Sequence, residues 1–346
     1  MDNKLLNNET PNLESQNTES PSLETLDMKV MNRLENFPVS FFSIIMGLSG
    51  FTIVWQKIAE LGGFPVFITH VFAWLTFLIF LGLSGVYLAK IITIPNAVEA
   101  ELKHPVKLSF FPAFSIAMVL LAIVMIPVAP ILSEILWVVG TLVHFVLFLY
   151  VVNSWMHHEH YTVQHISPAW FIPAVGNVLV PIAGMHFGYS DVSWFFFSIG
   201  MMFWIILFTV FFNRILFHNP LPAHLVPTLF ILIAPPAVGF VAYIKLNGGL
   251  DNFANFLYYI GLFLTILLFS QFKRFINLPF FLSWWAYSFP IAAITIASFL
   301  MYRLTEKSLF FNIAGLLSFI LTVLVAYIIY KTLKAIQAKK ICVDMH

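Results

Sequence analysis

The stretch HLVPTLFILIAPPAVGFVAYI at residues 224–244 decides how this chain folds. It contains no Lys, Arg, Asp or Glu, and it is long enough for an α-helix to cross a bilayer, which takes about 20 mainly apolar residues. It also carries Pro227, Pro235 and Pro236. A proline in a membrane helix leaves a carbonyl without its usual partner, so it is tolerated mainly where other helices or a wet cavity supply one. This stretch is therefore predicted to be a membrane span inside the protein.

Nine similar stretches accompany it, which gives ten predicted spans. Eleven prolines fall within the odd-numbered spans and none within the even-numbered ones. The odd-numbered spans are therefore predicted to form the interior, and the even-numbered spans to face lipid. Interior prolines are also predicted to kink spans five, seven and nine, namely Pro173, Pro181, Pro235, Pro236 and Pro290. The ten spans are residues 37–57, 66–90, 108–129, 131–153, 167–186, 191–213, 224–244, 252–272, 279–302 and 309–331.

The composition excludes a soluble fold. Of 346 residues, 60% are hydrophobic and only 10% are charged, which is typical of a multi-pass membrane protein. The net charge of +1 gives no indication of nucleic-acid binding. Residues 1–28 are polar and acidic and are predicted to be a disordered tail without a signal peptide. Residues 29–335 are then the ten-helix transmembrane domain, and residues 336–346 a C-terminal cytoplasmic tail that holds the single cysteine, Cys342.

The distribution of Lys and Arg predicts the orientation. Thirteen of them lie in the tails and in the loops on the same side, against four on the opposite side. Because positive residues are retained in the cytoplasm, both termini are predicted to be cytoplasmic.

The loops on the opposite side are short, so consecutive spans are predicted to pack as antiparallel hairpins. The odd-numbered spans also share an outline of aromatics and a proline followed by small residues. Five parallel repeats of this kind would form a ring. The predicted fold is thus an all-α polytopic membrane protein with ten transmembrane helices, arranged as five helical hairpins around a central pore.

Polar residues within the spans are few, and His144, Asn153 and Asn177 are the main ones. Carriers driven by protons or sodium usually keep a charged group at membrane depth. The pattern therefore favours a passive pathway with a mostly apolar wall, closed at most by a short hydrophobic constriction. His144 itself is interpreted as a hydrogen-bonded contact between helices.

A histidine-rich segment follows span four, with His157, His158, Glu159, His160 and His165 close together. These residue types bind metals, so a membrane metalloenzyme is one hypothesis. Their spacing matches neither a helical zinc pair nor repeated histidine boxes, and the favoured interpretation is a loop that titrates near neutral pH. The sequence predicts no catalytic residue, no metal site and no cofactor.

Five segments, in order along the chain, carry a family resemblance over about residues 37–335. The protein resembles the tellurite-resistance/C4-dicarboxylate transporter family, which includes TehA-like bacterial proteins and plant slow anion channels. The match at span nine is the most specific. The segments are FPVSFFSIIMGLSGFTIVWQK with Gly47 in register, KHPVKLSFFP at 103–112, PAVGN at 173–177, APPAVGFVAY at 234–243 and SWWAYSFP at 283–290.

The resemblance implies a pseudo-five-fold arrangement with one pore per subunit, assembly as a homotrimer, and passage of small anions such as chloride and nitrate. It implies that one phenylalanine of span nine blocks the pore, which is Phe289 here, aimed by Pro290. Residues predicted to face the pore or shape it are Phe42, Gly47, Phe111, Pro173, Asn177, Pro235, Pro236 and Pro290. Localisation in a cell membrane follows, with a bacterial inner membrane favoured. The alternative is a secondary exporter of malate or sulfite, with tellurite resistance as a phenotype.

Overall fold

The computed structural model describes residues 33–157 and 161–342. Within them the chain is helical with no β-strand, which confirms the all-α prediction. In this part of the chain nine segments are long and apolar enough to cross a membrane, and a shorter apolar one, Pro168–Gly184, lies at predicted span five. Residues 1–28 lie outside the described residues. The nine long segments are Val39–Glu60, Val66–Thr93, Lys107–Met125, Pro130–His157, Ser190–Phe217, Ala223–Asn247, Asn252–Phe269, Leu282–Thr305 and Ser308–Gln337.

Burial separates the spans into two groups. In the long odd-numbered spans, between 72% and 94% of the most apolar window is buried, against 22% to 39% in the even-numbered spans. In the α-helix of span five, Phe171–Gly184, every residue except Ile182 is buried. The proline-containing spans therefore form the interior, as predicted, and the even-numbered spans present their apolar side chains outward.

Each odd-numbered span is built in two parts, a 3₁₀ segment followed by an α-helix. None of the described even-numbered spans begins in this way. The five pairs are Val39–Phe41 with Phe42–Glu60, Lys107–Phe110 with Pro112–Met125, Pro168–Trp170 with Phe171–Gly184, Ala223–Ile233 with Ala234–Asn247, and Leu282–Tyr287 with Ser288–Thr305.

Most of the prolines predicted to kink a helix lie close to the junction between the two parts of a span. Pro235 and Pro236 fall in the first turn of Ala234–Asn247. Pro173 and Pro290 are the third residues of their α-helices. Proline fits the first turn because the N–H it lacks has no intrahelical acceptor there. Four of the five prolines expected to kink a helix therefore mark where an α-helix begins, and only Pro181 lies well inside one.

A buried ion pair joins three elements near the start of span one. Lys90 Nζ lies 3.1 Å from Glu101 Oε1 and donates to the Phe37 carbonyl at 2.9 Å. Tyr87 donates to the other oxygen of Glu101 at 2.9 Å. Glu101 belongs to Pro95–Lys103, a short helix between spans two and three. The network thus fixes the end of span two and this short helix against the residue that precedes Pro38.

Candidate functional site

Two cavities lie between the odd-numbered spans. The narrow cavity, of about 80 Å³, is lined by the first halves of these spans. The wide cavity, of about 280 Å³, is lined by their second halves and the turns that follow them. No even-numbered span contributes to either lining in the described part of the chain. One lining residue from each odd-numbered span in order is Met46, Phe110, Val175, Ile231 and Phe289 for the narrow cavity, and Ile53, Ile123, Ile182, Val241 and Phe289 for the wide one.

Phe289 is the single described residue that lines both cavities. Its side chain is only 5% exposed. It is the second residue of the α-helix Ser288–Thr305, directly after the 3₁₀ segment Leu282–Tyr287. Its ring thus lies where the two cavities approach each other, at the junction between the two parts of span nine.

Three side-chain hydrogen bonds hold the segment before Phe289, and two of them reach other spans. Trp285 Nε1 donates to Thr332 Oγ1 of span ten at 3.1 Å. Ser283 donates to the His224 carbonyl of span seven at 2.6 Å. Trp284 Nε1 donates to the Pro279 carbonyl at 3.2 Å. The backbone that carries Phe289 is therefore fixed to its neighbours.

Gly50 of span one packs against the same place and is a residue that the sequence did not predict. A Cβ at Gly50 would lie 2.8 Å from the Ala292 Cβ and 3.4 Å from the Phe289 ring. Only glycine leaves room for span nine this close to span one. The signal available was the second glycine of Gly-Leu-Ser-Gly, three residues after Gly47.

The other predicted residues lie around the cavities in different ways. Pro290 lines the narrow cavity together with Phe289. Phe42 is buried in an aromatic cluster, 5.0 Å from Phe114 between ring centroids, and Phe111 packs edge-on against Tyr87. A Cβ at Gly47 would overlap the Ser288 hydroxyl, so this glycine allows span one to contact span nine.

Asn177 is fully buried and donates to the Pro173 carbonyl at 2.9 Å. Pro173, Pro235 and Pro236 are buried in the first turns of their α-helices. Of the predicted residues, the narrow cavity includes Phe289 and Pro290 in its lining, and the wide cavity includes Phe289 alone. A pore-facing role for those residues stays a prediction.

The two cavities differ in charge. The wide cavity is lined by Lys57, Lys245 and Arg303, with Glu60 as the one carboxylate, and by His186. With neutral histidine these side chains sum to +2. The narrow cavity has no charged lining residue among those described, and its polar groups are hydroxyls, such as those of Ser40 and Thr228. The three cations lie on three different spans, so no local sequence pattern indicates that they share a cavity.

His144 of span four is fully buried and away from both cavities. Its Nε2 lies 3.1 Å from the Pro173 carbonyl and its Nδ1 lies 3.0 Å from the Ser115 hydroxyl. Because the carbonyl can only accept, Nε2 donates to it. The predicted contact between helices is confirmed.

The histidine-rich segment is described only in part, since His158, Glu159 and His160 lie outside the described residues. His157 Nδ1 lies 3.0 Å from the Asn153 carbonyl, a contact within the end of span four. The described part of the chain holds no group of three or more potential metal ligands. The metal hypothesis for this segment stays untested.

A family model described as a voltage-dependent anion channel, SLAC1, matches residues 36–333. The chain belongs to this family. The match covers all ten predicted spans and confirms the family resemblance seen in the sequence. It also establishes anion transport at the level of the family.

Known proteins similar to the chain come from plants, archaea and bacteria. The S-type anion channel SLAH2 of Arabidopsis thaliana is 30% identical over 80% of the chain and 57% of its own length. An uncharacterised transporter of Methanocaldococcus jannaschii is 26% identical over 78% of the chain and 86% of its own length. A tellurite resistance protein TehA homologue of Haemophilus influenzae is 24% identical over 76% and 81%. The chain spans about half the length of the plant channels SLAH2 and SLAH3, at 57% and 48%.

Proposed function

We propose that the protein is a passive channel for small anions such as chloride and nitrate, and that the Phe289 ring is the barrier that closes it. One observation carries this proposal: Phe289 is the described residue that lines both the narrow and the wide cavity. An ion cannot cross an apolar constriction without water, because transfer of an unpaired charge to an apolar medium costs tens of kcal/mol. Moving one ring aside would join the two cavities and let a hydrated path form.

The charge of the cavities supports an anion as the permeant species. Basic residues near a pore mouth raise the local concentration of anions. Lys57, Lys245 and Arg303 line the wide cavity against one carboxylate, that of Glu60. The narrow cavity is lined by apolar side chains and by hydroxyls, most of which already donate to backbone carbonyls, so an anion there makes only weak and transient contacts. Such contacts allow an ion to leave as readily as it enters.

The proposal includes a placement in the membrane. We place the protein in a cell membrane, with a bacterial inner membrane favoured, and both termini in the cytoplasm. The narrow cavity then faces the cytoplasm, and the wide cavity faces outward.

The shorter segment Pro168–Gly184 completes a set of ten transmembrane helices with the nine long ones. Their arrangement is proposed to be five hairpins around a pseudo-five-fold pore, with three subunits per assembly. Light scattering of the purified protein, corrected for detergent, tests the trimer.

The gate is tested by the variant Phe289→Ala in liposomes, with nitrate and chloride flux as the measurement. Loss of the ring is expected to raise basal flux at least about tenfold, since a barrier lower by about 1.4 kcal/mol raises a rate tenfold. The matched control is Phe299→Ala, because Phe299 belongs to the same helix and lines only the wide cavity. Its flux is expected to stay near the wild-type value. Equal flux in Phe289→Ala and wild type, with both proteins folded, would refute the gate.

The same liposomes distinguish a channel from a carrier. A channel carries net current down an anion gradient without a counter-substrate. A secondary exporter of malate or sulfite would instead show a fixed exchange or coupling ratio and no uncoupled current. Comparing chloride, nitrate, sulfite and malate in one planar bilayer also gives the order of permeation.

A further inference from the structure

The wide cavity contains a carboxylate that is shared between two cations. Glu60 Oε1 lies 2.6 Å from Lys57 Nζ, and Glu60 Oε2 lies 3.8 Å from an Arg303 guanidinium nitrogen. Each oxygen of Glu60 therefore faces a different positive group. The three side chains come from the ends of spans one and nine, which are far apart in the sequence.

Lys245 lines the same cavity and differs from its neighbours. It lies near the end of the helix Ala234–Asn247 in span seven. Within the described part of the chain its ammonium makes no ion pair and no side-chain hydrogen bond, whereas Lys57 and Arg303 both pair with Glu60. The wide cavity thus offers one free ammonium beside two cations that are already neutralised in part.

We propose that Lys245 is the docking residue for a monovalent anion in the wide cavity, and that Glu60 is a built-in counter-anion that disfavours multivalent anions. This inference rests on the proposed function, which it deepens by naming the charge class of the permeant ion. Glu60 pairs with both Lys57 and Arg303, so the cavity carries a net charge of +2 and Lys245 is the one lining cation without an ion pair. Removal of the Glu60 charge would present three cations to the same cavity.

The ion pairs that Glu60 makes with Lys57 and Arg303 are weak enough to break when an anion enters the cavity. The side chains of Lys57, Glu60 and Arg303 are 32%, 50% and 61% exposed, respectively. Ion pairs in contact with water are weak and are screened by salt. Glu60 therefore lowers the charge that an entering anion meets without closing the cavity, and it stays able to move away.

The wall of the cavity favours the same class of ion. Apart from the charged residues, it is made largely of apolar side chains such as those of Ile123, Ile182 and Ile296. A multivalent anion holds its water strongly and loses more free energy when part of that water is replaced by an apolar wall. A singly charged, weakly hydrated anion such as nitrate loses less and needs only the one ammonium.

The test compares Lys245→Gln and Glu60→Gln with the wild type in two measurements. The first is thermal unfolding of the closed protein with nitrate or sulfate at constant ionic strength, because a ligand that binds the folded state raises its stability. The second is nitrate flux, and its inhibition by sulfate, in the Phe289→Ala background. Lys307→Gln and Glu306→Gln are charge-matched controls on the same side, since neither residue lines the cavity.

The proposal expects opposite changes from the two variants. Lys245→Gln should raise the half-saturating nitrate concentration about thirtyfold, the order expected for the loss of one unit charge roughly 8 Å away at an effective dielectric constant near 20. Glu60→Gln should lower the half-inhibiting sulfate concentration by a similar factor. The controls should shift both values less than twofold, because exposed charges farther away are screened by salt.

The outcomes separate this inference from the proposed function. Shifts in both variants no larger than in the controls would overturn the docking role of Lys245 and the role of Glu60, even if anion flux is observed. Nitrate-dependent stabilisation that requires Lys245, in a protein that carries no anion flux either as wild type or as Phe289→Ala, would support the site and refute the channel. The sulfate measurement is repeated with Glu60→Ala, which removes the charge without adding an amide. If only Glu60→Gln changes the half-inhibiting sulfate concentration, the change comes from the amide and counts against the proposal.

Discussion

Phe289 takes its position from residues that are distant in the sequence. Gly50 of span one leaves the space beside it, and Trp285 fixes the preceding turn to Thr332 of span ten. The ring itself is nonpolar and has no hydrogen bond to hold it. Its orientation therefore depends on packing, which is sensitive to small changes in volume.

Gly50→Ala is expected to destabilise the protein. The added Cβ would lie 2.8 Å from the Ala292 Cβ, so spans one and nine must separate. Such overpacking typically lowers the free energy of unfolding by about 1–3 kcal/mol. Because Phe289 lies 3.4 Å from the same point, basal anion flux should change as well.

The matched control is Gly315→Ala, where an added Cβ would meet nothing within 4 Å. Gly315 lies within the helix Ser308–Gln337, so alanine there should be neutral or stabilising by up to about 1 kcal/mol. Unfolding of both variants in the same detergent gives the comparison. A Gly50→Ala protein as stable as Gly315→Ala would contradict the close packing of spans one and nine.

At the scale of elements, the prolines determine where each α-helix of the interior starts. The sequence predicted that prolines belong to the inner spans and that five of them kink a helix. A proline three residues into a helix and a proline in the middle of one look the same in a hydropathy pattern, because both leave the apolar run unbroken. The boundary between the 3₁₀ segment and the α-helix depends on which carbonyls find partners in neighbouring spans, which local sequence does not specify.

The buried pair of Lys90 and Glu101 provides a prediction at this scale. Lys90→Met would leave the Glu101 carboxylate buried without its cation, since the two side chains are 0% and 8% exposed. Breaking a buried ion pair in this way typically costs about 3–5 kcal/mol of stability. We expect Lys90→Met to unfold at a clearly lower temperature than the wild type.

The double variant Lys90→Met/Glu101→Leu is the control, because replacing both partners with apolar residues is often close to neutral. It should recover most of the stability lost in Lys90→Met. If the double variant is as unstable as the sum of the two single variants, the pair does not act as a unit. The measurement is thermal unfolding of all four proteins in one detergent.

Over the whole molecule, the residues of each span match its surroundings, either the protein interior or the lipid. The interior spans carry the prolines and line the two cavities, while the even-numbered spans expose large apolar side chains such as Phe67, Leu142, Ile205 and Phe319. Such apolar side chains are favourable in contact with the hydrocarbon core of the bilayer. Only four Lys and Arg residues lie on the wide-cavity side, and three of them line that cavity.

The proposed orientation can be tested with Cys342, the only cysteine. A membrane-impermeant maleimide added to intact cells is expected to leave Cys342 unlabelled until the membrane is opened. Lys307→Cys in a Cys342→Ser background should be labelled from outside. Burial raises the pKa of the Cys342 thiol, so labelling is best compared at mildly alkaline pH. If Cys342 is labelled in intact cells and Lys307→Cys is not, the termini lie outside and the proposed orientation is wrong.

The sequence by itself determined the class of fold, the approximate limits of the spans, which spans lie inside, and a family that the comparisons confirmed. These properties are carried by local features: an apolar run long enough for a bilayer, a proline within it, and short motifs such as SWWAYSFP. Hydropathy and proline act on the helix that contains them, so each segment can be interpreted without knowledge of the others.

Only the tertiary structure decided which side chains meet. It brought Phe289 to the point where two cavities approach each other, placed Gly50 against it, and left Lys245 free beside a Glu60 that pairs with Lys57 and Arg303. These residues lie on different spans, up to about 250 positions apart in the chain. Their distances depend on how five helices pack side by side, and no single segment contains that information.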